Sequence, residues 1–288
     1  MTGKAHKDHQ AFAANDFAAN DWVIPPNLTD HRLKSSIKGM DHHGNSLNLN
    51  IIHERAISLF LNGQEIITNM TIGDYPEYLA VGYLHNQRML KPHERITAVE
   101  YDDELSLVVV RTDSPSDYEQ KLKKKIHTSG CAQGTLFGDV MDDFDKIQIP
   151  LDENQQLDKV KLYNLIKIIA LTPSLYLEVG AIHGCVLASH DRPLVYMEDV
   201  GRHNAVDKIA GYMAINHISG DDKILYTTGR LTSEMVIKSV LMDIPIVVSR
   251  SGFTAFGVEL ARKANLTLIG RARGERFMVL SAPDRIKI

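Results

Sequence analysis

Short apolar runs alternate with stretches of helical periodicity throughout the C-terminal half of the chain, from Gly180 onward. Strands are predicted for the short runs, and helices for segments in which apolar residues recur every three or four positions. The predicted strands are Ile182–Ala188, Leu194–Met197, Lys223–Thr228, Pro245–Ser249, Leu266–Ile269 and Phe277–Ser281. The predicted helices are Asn204–Ile215, Thr232–Met242 and Ala255–Ala264. This alternation predicts an α/β unit with a largely parallel sheet that is covered by helices on both faces.

The pattern before Gly180 is less regular, and strands dominate its first part. Two apolar-rich runs flank Asn62 and Gly63, which is the strongest short-range signal for a β-hairpin. The other predicted elements are helices at Tyr75–His85 and Gln156–Leu171 and strands at Ile96–Tyr101 and Leu105–Arg111. Residues 1 to about 48 are rich in Asn, Asp, His and Ala with little periodicity, and they are predicted to form a loosely held arm.

These patterns divide the chain into four parts. They are an arm over residues 1–48, a strand-rich α+β subdomain over 49–125, a loop around Cys131 over 126–140, and an α/β domain over 141–288. The fold class predicted from the pattern is therefore α/β, with a mixed, strand-rich N-terminal subdomain.

Composition narrows the class of protein. The chain has 288 residues, of which 44% are hydrophobic and 24% charged, and its formal net charge is -4, so no overall basic field favours nucleic acid. Cys131 and Cys185 are its two cysteines, which is not the dense pattern of a secreted disulfide scaffold. No window reaches the roughly 20 apolar residues of a membrane span. We therefore expect a soluble, cytoplasmic protein that binds neither nucleic acid nor a membrane.

Cys131 is the candidate nucleophile. Lys123, Lys124, Lys125 and His127 precede it closely, and neighbouring cations lower the pKa of a thiol and so raise its thiolate fraction. The glycines at positions 130 and 134 permit unusual backbone angles and close approach of another molecule. The same sequence is also compatible with an ordinary surface turn beside a solvated lysine run.

Three strand-to-helix junctions carry an arginine. They are Glu198–Lys208, Thr227–Glu234 and Ser249–Thr254, with Arg202 and His203 in the first, Arg230 in the second and Arg250 in the third. Asn204 is predicted to cap a helix, which would leave Arg202 and His203 in the preceding loop. Since guanidinium groups pair with phosphate, the three arginines could converge on one anionic ligand; surface salt bridges are the alternative.

A further basic cluster follows the strand at Leu266–Ile269. It consists of Arg271, Ala272, Arg273, Gly274, Glu275 and Arg276, which are interpreted either as a phosphate clamp or as a solvated turn. Zinc is not expected, because the chain has neither Cys-x-x-Cys nor His-Glu-x-x-His. The Gly-rich fingerprints of mononucleotide and dinucleotide sites are also missing.

The segment Glu198-Asp-Val-Gly-Arg-His-Asn-Ala-Val-Asp-Lys208 closely resembles the signature of the formate dehydrogenase accessory sulfurtransferases, the FdhD/NarQ family. The segments Thr228–Lys238, Ile244–Arg250, Val258–Ala261, Leu266–Gly270 and Ala282–Ile286 follow in the family's order. The resemblance covers roughly residues 50 to 288 and is strongest after Gly180.

The resemblance implies a sulfur carrier. Its members would accept sulfur from a cysteine desulfurase as a persulfide, here on Cys131, and transfer it to the molybdenum cofactor, Mo-bis-molybdopterin guanine dinucleotide, that formate dehydrogenase requires. It also implies a cytidine deaminase-like C-terminal domain, a homodimer, and cofactor binding at residues 271–276, with a GDP-like nucleotide as a mimic of the cofactor.

Two departures from the family pattern bear on the mechanism. Many relatives have a second cysteine in the loop, where this chain has Gly134, so transfer would proceed through Cys131 alone unless Cys185 approaches it. The usual Thr-Gly-Gly before the family's histidine is replaced by Gly180-Ala-Ile before His183, which leaves the role of His183 open. Deaminase activity is not implied, because the deaminase-type Cys pair and His-x-Glu are missing.

Two other functions remain open at this point. A non-covalent carrier or chaperone of the molybdenum cofactor would not need Cys131, and a Cys-dependent hydrolase would use it as the nucleophile of an acyl-enzyme.

Overall fold

The computed structural model describes residues 22–90, 94–114, 125–127, 135–152 and 155–288. The first part of the chain forms a hairpin, a four-stranded sheet and a helix. Its elements are β1 (Lys34–Met40), β2 (Ser46–Ile52), β3 (Arg55–Leu61), β4 (Gln64–Thr71), α1 (Pro76–Asn86), β5 (Ile96–Asp102) and β6 (Leu107–Thr112). The strands of the sheet lie in the order β4-β3-β6-β5, and α1 packs against β5 and β6. This is the strand-rich unit that the sequence predicts.

The hairpin predicted at Asn62-Gly63 connects β3 to β4. Both turn residues have positive φ, 51° and 88°, which is the backbone that a two-residue type I′ turn requires. Inward residues of β3 alternate with outward ones, and Ile57, Leu59 and Leu61 are buried.

The hairpin of β1 and β2 lies within the stretch predicted as a loosely held arm, so that prediction is wrong for residues 34–48. Its strands pair in regular antiparallel register from Lys34 opposite Ile52 to Met40 opposite Ser46. Most of its residues are exposed, with Ile37 44% and Met40 75% exposed. Because neither face is fully buried, the sequence lacks the clear two-residue alternation of a half-buried strand.

The remaining elements belong to the C-terminal domain and the segment that leads into it. They are β7 (Lys125–His127), β8 (Thr135–Phe137), α2 (Gly138–Phe144), β9 (Leu157–Asp158), α3 (Lys159–Leu171), α4 (Leu175–Val179), β10 (His183–Ala188), β11 (Pro193–Asp199), α5 (Arg202–Ile215), β12 (Ile224–Thr227), α6 (Ser233–Leu241), β13 (Ile246–Ser249), α7 (Ala255–Lys263), β14 (Thr267–Arg273), β15 (Arg276–Ser281) and β16 (Ile286–Lys287). Each strand and helix predicted after Gly180 is present, within a few residues of its predicted bounds.

A six-stranded sheet with the order β11-β10-β12-β13-β14-β15 is the centre of this domain. The pairs β12/β13 and β13/β14 are parallel, whereas β10/β11, β10/β12 and β14/β15 are antiparallel. The prediction of a largely parallel sheet is therefore wrong. Strand β10 is followed by β11, and β14 by β15, through connections too short for a crossover helix, so both pairs are hairpins.

Helices cover both faces of the sheet, as the sequence predicts. Strand β10 illustrates the alternation: Cys185 and Leu187 face a core shared with α5, α6 and α7, while Val186 faces a second core formed with α3. A mixed α/β fold is thus confirmed. In the part of the chain that the structure describes, no helix combines the length and the apolar character needed to cross a membrane.

Helices α1 and α5 join the N-terminal subdomain to the C-terminal domain. They cross at two glycines: a Cβ on Gly82 would lie 1.7 Å from the carbonyl oxygen of Asp207, and one on Gly211 would lie 1.9 Å from that of Tyr78. Only glycine permits this approach of the two backbones. The contact brings the end of β4 and one side of α1 next to the first turn of α5.

Candidate functional site

The three arginine-bearing junctions lie at one end of the central sheet. Strand register shows this directly, because Gly184 pairs with Glu198, Cys185 with Thr227 and Thr227 with Ser249. The structure therefore brings together the loops that the sequence analysis singled out, although they are separated by some 20 to 30 residues along the chain.

The first junction differs from its prediction. Helix α5 begins at Arg202 with Gly201 as its N-cap, so Arg202 and His203 belong to the first helical turn rather than to a loop. Asn204 is not a cap: its side-chain amide donates hydrogen bonds to the carbonyl oxygen of Met70 at 2.7 Å and to Oδ1 of Asp199 at 3.0 Å. Asn204 thus ties the helix start to strand β4 of the other subdomain.

A buried charge network surrounds Lys208. Its Nζ lies 2.5 Å from Oδ1 of Asp74 and 2.6 Å from Oδ2 of Asp199, and Thr71 donates a 2.5 Å hydrogen bond to the same Asp199 oxygen. Burial opposes the charged amine, but the two carboxylates outweigh it and raise the pKa of Lys208. The network holds the end of β4 against α5.

Asp207, the neighbour of Lys208, makes a second buried ion pair. Nζ of Lys238 lies 2.7 Å from Oδ2 of Asp207, and the side chain of Asn86 donates a 2.7 Å hydrogen bond to its Oδ1. Glu198 has a different partner, because it accepts hydrogen bonds from the backbone N–H groups of residues 175 and 176 at the start of α4. Burial raises the pKa of Glu198 to about 7. Both carboxylates, Asp207 and Glu198, therefore have hydrogen-bond partners within the protein.

Arg202 differs from the paired carboxylates of Asp207 and Glu198. Its residue is only 5% exposed, and its Nε has no hydrogen-bond partner among the described residues. Gly229 leaves room for it, since a Cβ at that position would lie 3.0 Å from Cβ and Cδ of Arg202. Gly229 of the second junction therefore leaves space for the side chain of Arg202 from the first junction.

His203 and His183 lie beside Arg202. Nε2 of His203 is 3.2 Å from Oε2 of Glu234, and burial, followed by the charges of Lys238, Arg202 and His183, lowers the pKa of His203 to about 2. Burial and then the charges of Arg202 and Arg230 also lower the pKa of His183. Both imidazoles are consequently neutral at physiological pH.

These side chains line a cavity of about 50 Å³ between the two subdomains. Its walls are formed by Asn69, Tyr83, Gln87, His183, Val200, Gly201, Arg202, His203, Asn204, Asp207, Glu234 and Lys238. A volume of this size holds a few water molecules or one small group, and it is too small for a nucleotide.

The other predicted arginines lie on the outer side of the same edge. Arg230 is exposed, and the guanidinium of Arg250 lies 5.6 Å from the ring centre of Tyr176. Arg271 stacks similarly on Phe253 at 5.9 Å, and the Nε of Arg273 donates a 3.4 Å hydrogen bond to the carbonyl oxygen of Arg250. These cations leave their charged groups accessible to an anionic ligand.

The basic cluster at residues 271–276 is a β-hairpin tip. Arg271 and Arg273 belong to β14, Gly274 and Glu275 form the turn, and Arg276 begins β15. Ala272 is buried at 1% exposure, whereas Arg271, Arg273, Gly274, Glu275 and Arg276 are exposed. The N–H of Arg271 donates a 2.8 Å hydrogen bond to the carbonyl oxygen of Ser251, which fixes this tip beside the third junction.

A family model for the FdhD/NarQ family matches residues 52–287. The chain belongs to the FdhD/NarQ family. It is 31% identical over 242 residues to a sulfur carrier protein FdhD of Wolinella succinogenes, covering 83% of this chain and 82% of the relative. It is 27% identical over 238 residues to the sulfur carrier protein FdhD of Bacillus subtilis, covering 82% of this chain and 90% of the relative.

A solved structure agrees with this membership. The fold is similar to the crystal structure of a protein assigned as a formate dehydrogenase accessory protein, from Desulfotalea psychrophila, with a TM-score of 0.70 and 25% identity. The match covers 88% of this chain and 98% of that chain. The family resemblance inferred from the sequence is thus confirmed, while the cytidine deaminase-like description remains a prediction.

Of the two cysteines of this FdhD/NarQ family member, Cys185 lies among the described residues and Cys131 does not. Cys131, the predicted catalytic residue, lies outside the described residues. Cys185 is fully buried on β10, where its thiol donates a 3.3 Å hydrogen bond to Thr227 and burial raises its pKa to about 12. Cys185 is therefore not a nucleophile, and its thiol could react with another group only if strand β10 unfolded.

Sequence reasoning missed the part of the cavity that other segments contribute. Asn69, Tyr83 and Gln87 come from β4 and from α1 and the residue that follows it, and no local pattern connects them with residues more than 100 positions away. Glu234 was detectable only as an acidic residue near a helix start, where its ordinary role is a favourable interaction with the helix dipole.

Proposed function

We propose that this protein is a sulfur carrier that serves formate dehydrogenase maturation. The observation that carries the proposal is family membership over residues 52–287, together with the names of relatives that match most of the chain. In this proposal Cys131 accepts sulfur from a cysteine desulfurase and delivers it to a molybdenum cofactor, Mo-bis-molybdopterin guanine dinucleotide, which is the cargo of the protein. The cytoplasm, where thiols stay reduced, is the compartment that this chemistry favours.

The loading step is a thiol exchange. The thiolate of Cys131 attacks the terminal sulfur of the desulfurase persulfide, so one S–S bond forms, one breaks, and the desulfurase thiolate leaves. The terminal sulfur remains on Cys131 as a new persulfide. Neighbouring lysines at positions 123–125 favour the thiolate form that this attack needs.

Recognition of the cofactor is assigned to the arginines of the sheet edge. Arg250, Arg271 and Arg273 are placed around the third junction, and Arg230 follows β12 next to it. Guanidinium groups bind phosphate oxygens in pairs, so this surface suits the guanine dinucleotide portion of the cargo. Holding that portion in place would bring the reacting end of the cofactor close to Cys131, and this proximity would accelerate the transfer.

Mass spectrometry of the intact protein tests the sulfur step. After incubation with a cysteine desulfurase and cysteine, the wild type should gain one sulfur atom, Cys131→Ser should gain none, and the matched variant Cys185→Ser should load like the wild type. Full loading of Cys131→Ser would contradict the assignment. A Cys131→Ser variant that still supports formate dehydrogenase maturation would instead favour a non-covalent carrier.

Charge reversal tests the recognition surface separately. Arg273→Glu should weaken binding of guanosine diphosphate, measured by calorimetry, without changing persulfide formation. Arg192→Glu is the control, because this exposed residue lies in the turn at the opposite end of the β10/β11 hairpin. Equal nucleotide affinity in Arg273→Glu and wild type would contradict the role of the hairpin tip.

The proposal includes a homodimer. Its cofactor-binding edge is expected to function within that assembly, with formate dehydrogenase and the desulfurase as transient partners. Sedimentation equilibrium of the whole chain measures the oligomeric state, and a monomer at working concentrations would remove the dimer from the proposal.

A further inference from the structure

The cavity at the start of α5 is lined by hydrogen-bond donors and by a buried positive charge. Helix α5 has 14 residues, and no side chain in the described part of the chain caps its N-terminus. The N–H groups of its first turn have no partner inside the helix, and the first internal bond is donated by Ala205 to the carbonyl oxygen of Gly201. Together with the helix dipole, such groups favour an anion.

Arg202 gives independent evidence of a ligand. An arginine that is only 5% exposed normally has carboxylates or carbonyl oxygens around its charged group, because an unmatched buried charge is strongly unfavourable. The Nε of Arg202 is covered from solvent and has no hydrogen-bond partner among the described residues. It lines the cavity, so the missing counter-ion belongs there.

The other charges of the cavity do not supply that counter-ion. Asp207 is neutralised by Lys238 at 2.7 Å, and Glu234 lies beside the neutral His203 at 3.2 Å. Both histidines have lowered pKa values, to which the nearby charge of Arg202 contributes after burial. No ion pair joins Arg202 to either carboxylate, both of which the structure describes, and Glu234 carries the opposing charge on the cavity wall.

We propose that this cavity binds a single phosphoryl group, held by the guanidinium of Arg202 and the backbone N–H groups of the first turn of α5. A space of about 50 Å³ fits one such group and excludes the rest of a nucleotide, whose base and sugar would remain on the outer arginine surface. If the group comes from the cargo, this inference rests on the proposed function, and the cavity fixes the phosphate chain. Free phosphate is the other source.

Titration with inorganic phosphate tests the site without any sulfur chemistry. Calorimetry should show binding to the wild type, and Arg202→Met should weaken it by roughly tenfold or more, because a charge-assisted pair of hydrogen bonds is lost. Glu234→Gln should have the opposite effect and tighten binding by roughly threefold to tenfold, because a like charge leaves the wall. Arg192→Met, at the far end of the β10/β11 hairpin, should match the wild type.

These variants separate a ligand site from a structural role. Unchanged phosphate affinity in folded Arg202→Met, or no phosphate binding to the wild type, would overturn the proposal. If Arg202→Met does not fold, Glu234→Gln decides alone: tighter binding supports the site, and equal or weaker binding overturns it. Circular dichroism establishes folding in each case.

Nucleotide titrations identify the source of the group. If the cargo supplies it, Arg202→Met should weaken guanosine diphosphate and leave guanosine unchanged; an effect on inorganic phosphate alone would support free phosphate as the ligand. Sulfur loading of Cys131, measured by mass in parallel, is independent of both titrations. Failure of that loading in the wild type would count against the sulfur-carrier proposal and leave the phosphate result standing.

Discussion

Two buried arginines, Arg285 and Arg202, illustrate how the same side chain serves different ends in one fold. Arg285 is fully buried beneath the C-terminus, and its guanidinium donates to five oxygen acceptors at 2.6 to 3.3 Å. The acceptors are Gln155 Oε1, Asn265 O, Thr267 Oγ1, Ile149 O and Pro150 O. Arg202 is buried almost as deeply, yet the described residues offer its Nε no acceptor.

The difference shows that burial alone does not reveal the role of a charged residue. Around Arg285, backbone carbonyls from two segments and the side-chain oxygens of Gln155 and Thr267 complete the hydrogen bonding of the guanidinium, so this arginine stabilises the fold. Around Arg202, the described residues offer the Nε no acceptor, and the proposed ligand would complete the hydrogen bonding of this guanidinium.

The largest expected effect on stability comes from replacing Arg285. Arg285→Met should lower the free energy of unfolding by about 3 kcal/mol or more, because several buried oxygens would lose a charged donor and hydrogen bonds to charged groups contribute about 1.5–3 kcal/mol each. Urea denaturation measures the change, with Arg192→Met as the exposed control. A loss within 0.5 kcal/mol, roughly the range of ordinary surface changes, would remove the distinction between the two arginines.

An intermediate effect on stability is expected when the pH is lowered, because His203 lies in the cavity beside Arg202. Burial lowers the pKa of His203 to about 2 in the folded protein, whereas the unfolded chain has a value near 6.5, so the unfolded state binds more protons below about pH 6.5. Stability should therefore fall as the pH decreases, by about 2 kcal/mol between about pH 7 and pH 5 relative to His203→Gln.

Comparison with His203→Gln is essential here because Glu198 acts in the other direction. Its raised pKa of about 7 favours the folded state as the pH decreases over the same range. The difference between wild type and His203→Gln isolates the histidine. Parallel stability curves for the two proteins would mean that His203 binds a proton as readily in the folded state as in the unfolded chain, which would contradict the effect of burial and of the nearby cations on its pKa.

The smallest expected effect on stability is that of Arg202→Met. Methionine keeps the alkyl packing against Gly229 and removes a buried charge whose Nε has no acceptor among the described residues. The free energy of unfolding in ligand-free buffer should therefore change by less than about 1 kcal/mol or increase. The same urea experiment measures it. A loss as large as that of Arg285→Met would show that Arg202 has a structural partner, and the contrast between the two residues would disappear.

Local pattern predicted the secondary structure of the C-terminal domain well. Each strand and helix after Gly180 was predictable, because short apolar runs mark strands buried on both faces and helical periodicity follows from the burial of one face. The turn at Asn62-Gly63 was predictable because both residues accept the positive φ angles that it requires. The clustering of Arg202, Arg230 and Arg250 at one sheet end was also predictable, since all three follow strands of the same sheet.

Other features depend on contacts that no local pattern contains. The exposed hairpin of β1 and β2 lacks a strong alternation, the start of α5 at Arg202 depends on Gly201 and on Asn204 bonding to Met70, and the crossing of α1 and α5 depends on two glycines far apart in sequence. Antiparallel pairing of β10 with β12 was likewise decided by long-range assembly rather than by either strand alone.

The sequence by itself determined the family, the alternation of strands and helices, and the charged residues that lie at one end of the sheet. Only the tertiary structure decided which of those residues have partners. Three of the five acceptors of Arg285 come from residues more than 100 positions away in the sequence. The Nε of Arg202 has no acceptor among the described residues. Whether a buried charge is satisfied is a property of the assembled neighbourhood, so it is read from the structure and not from the chain.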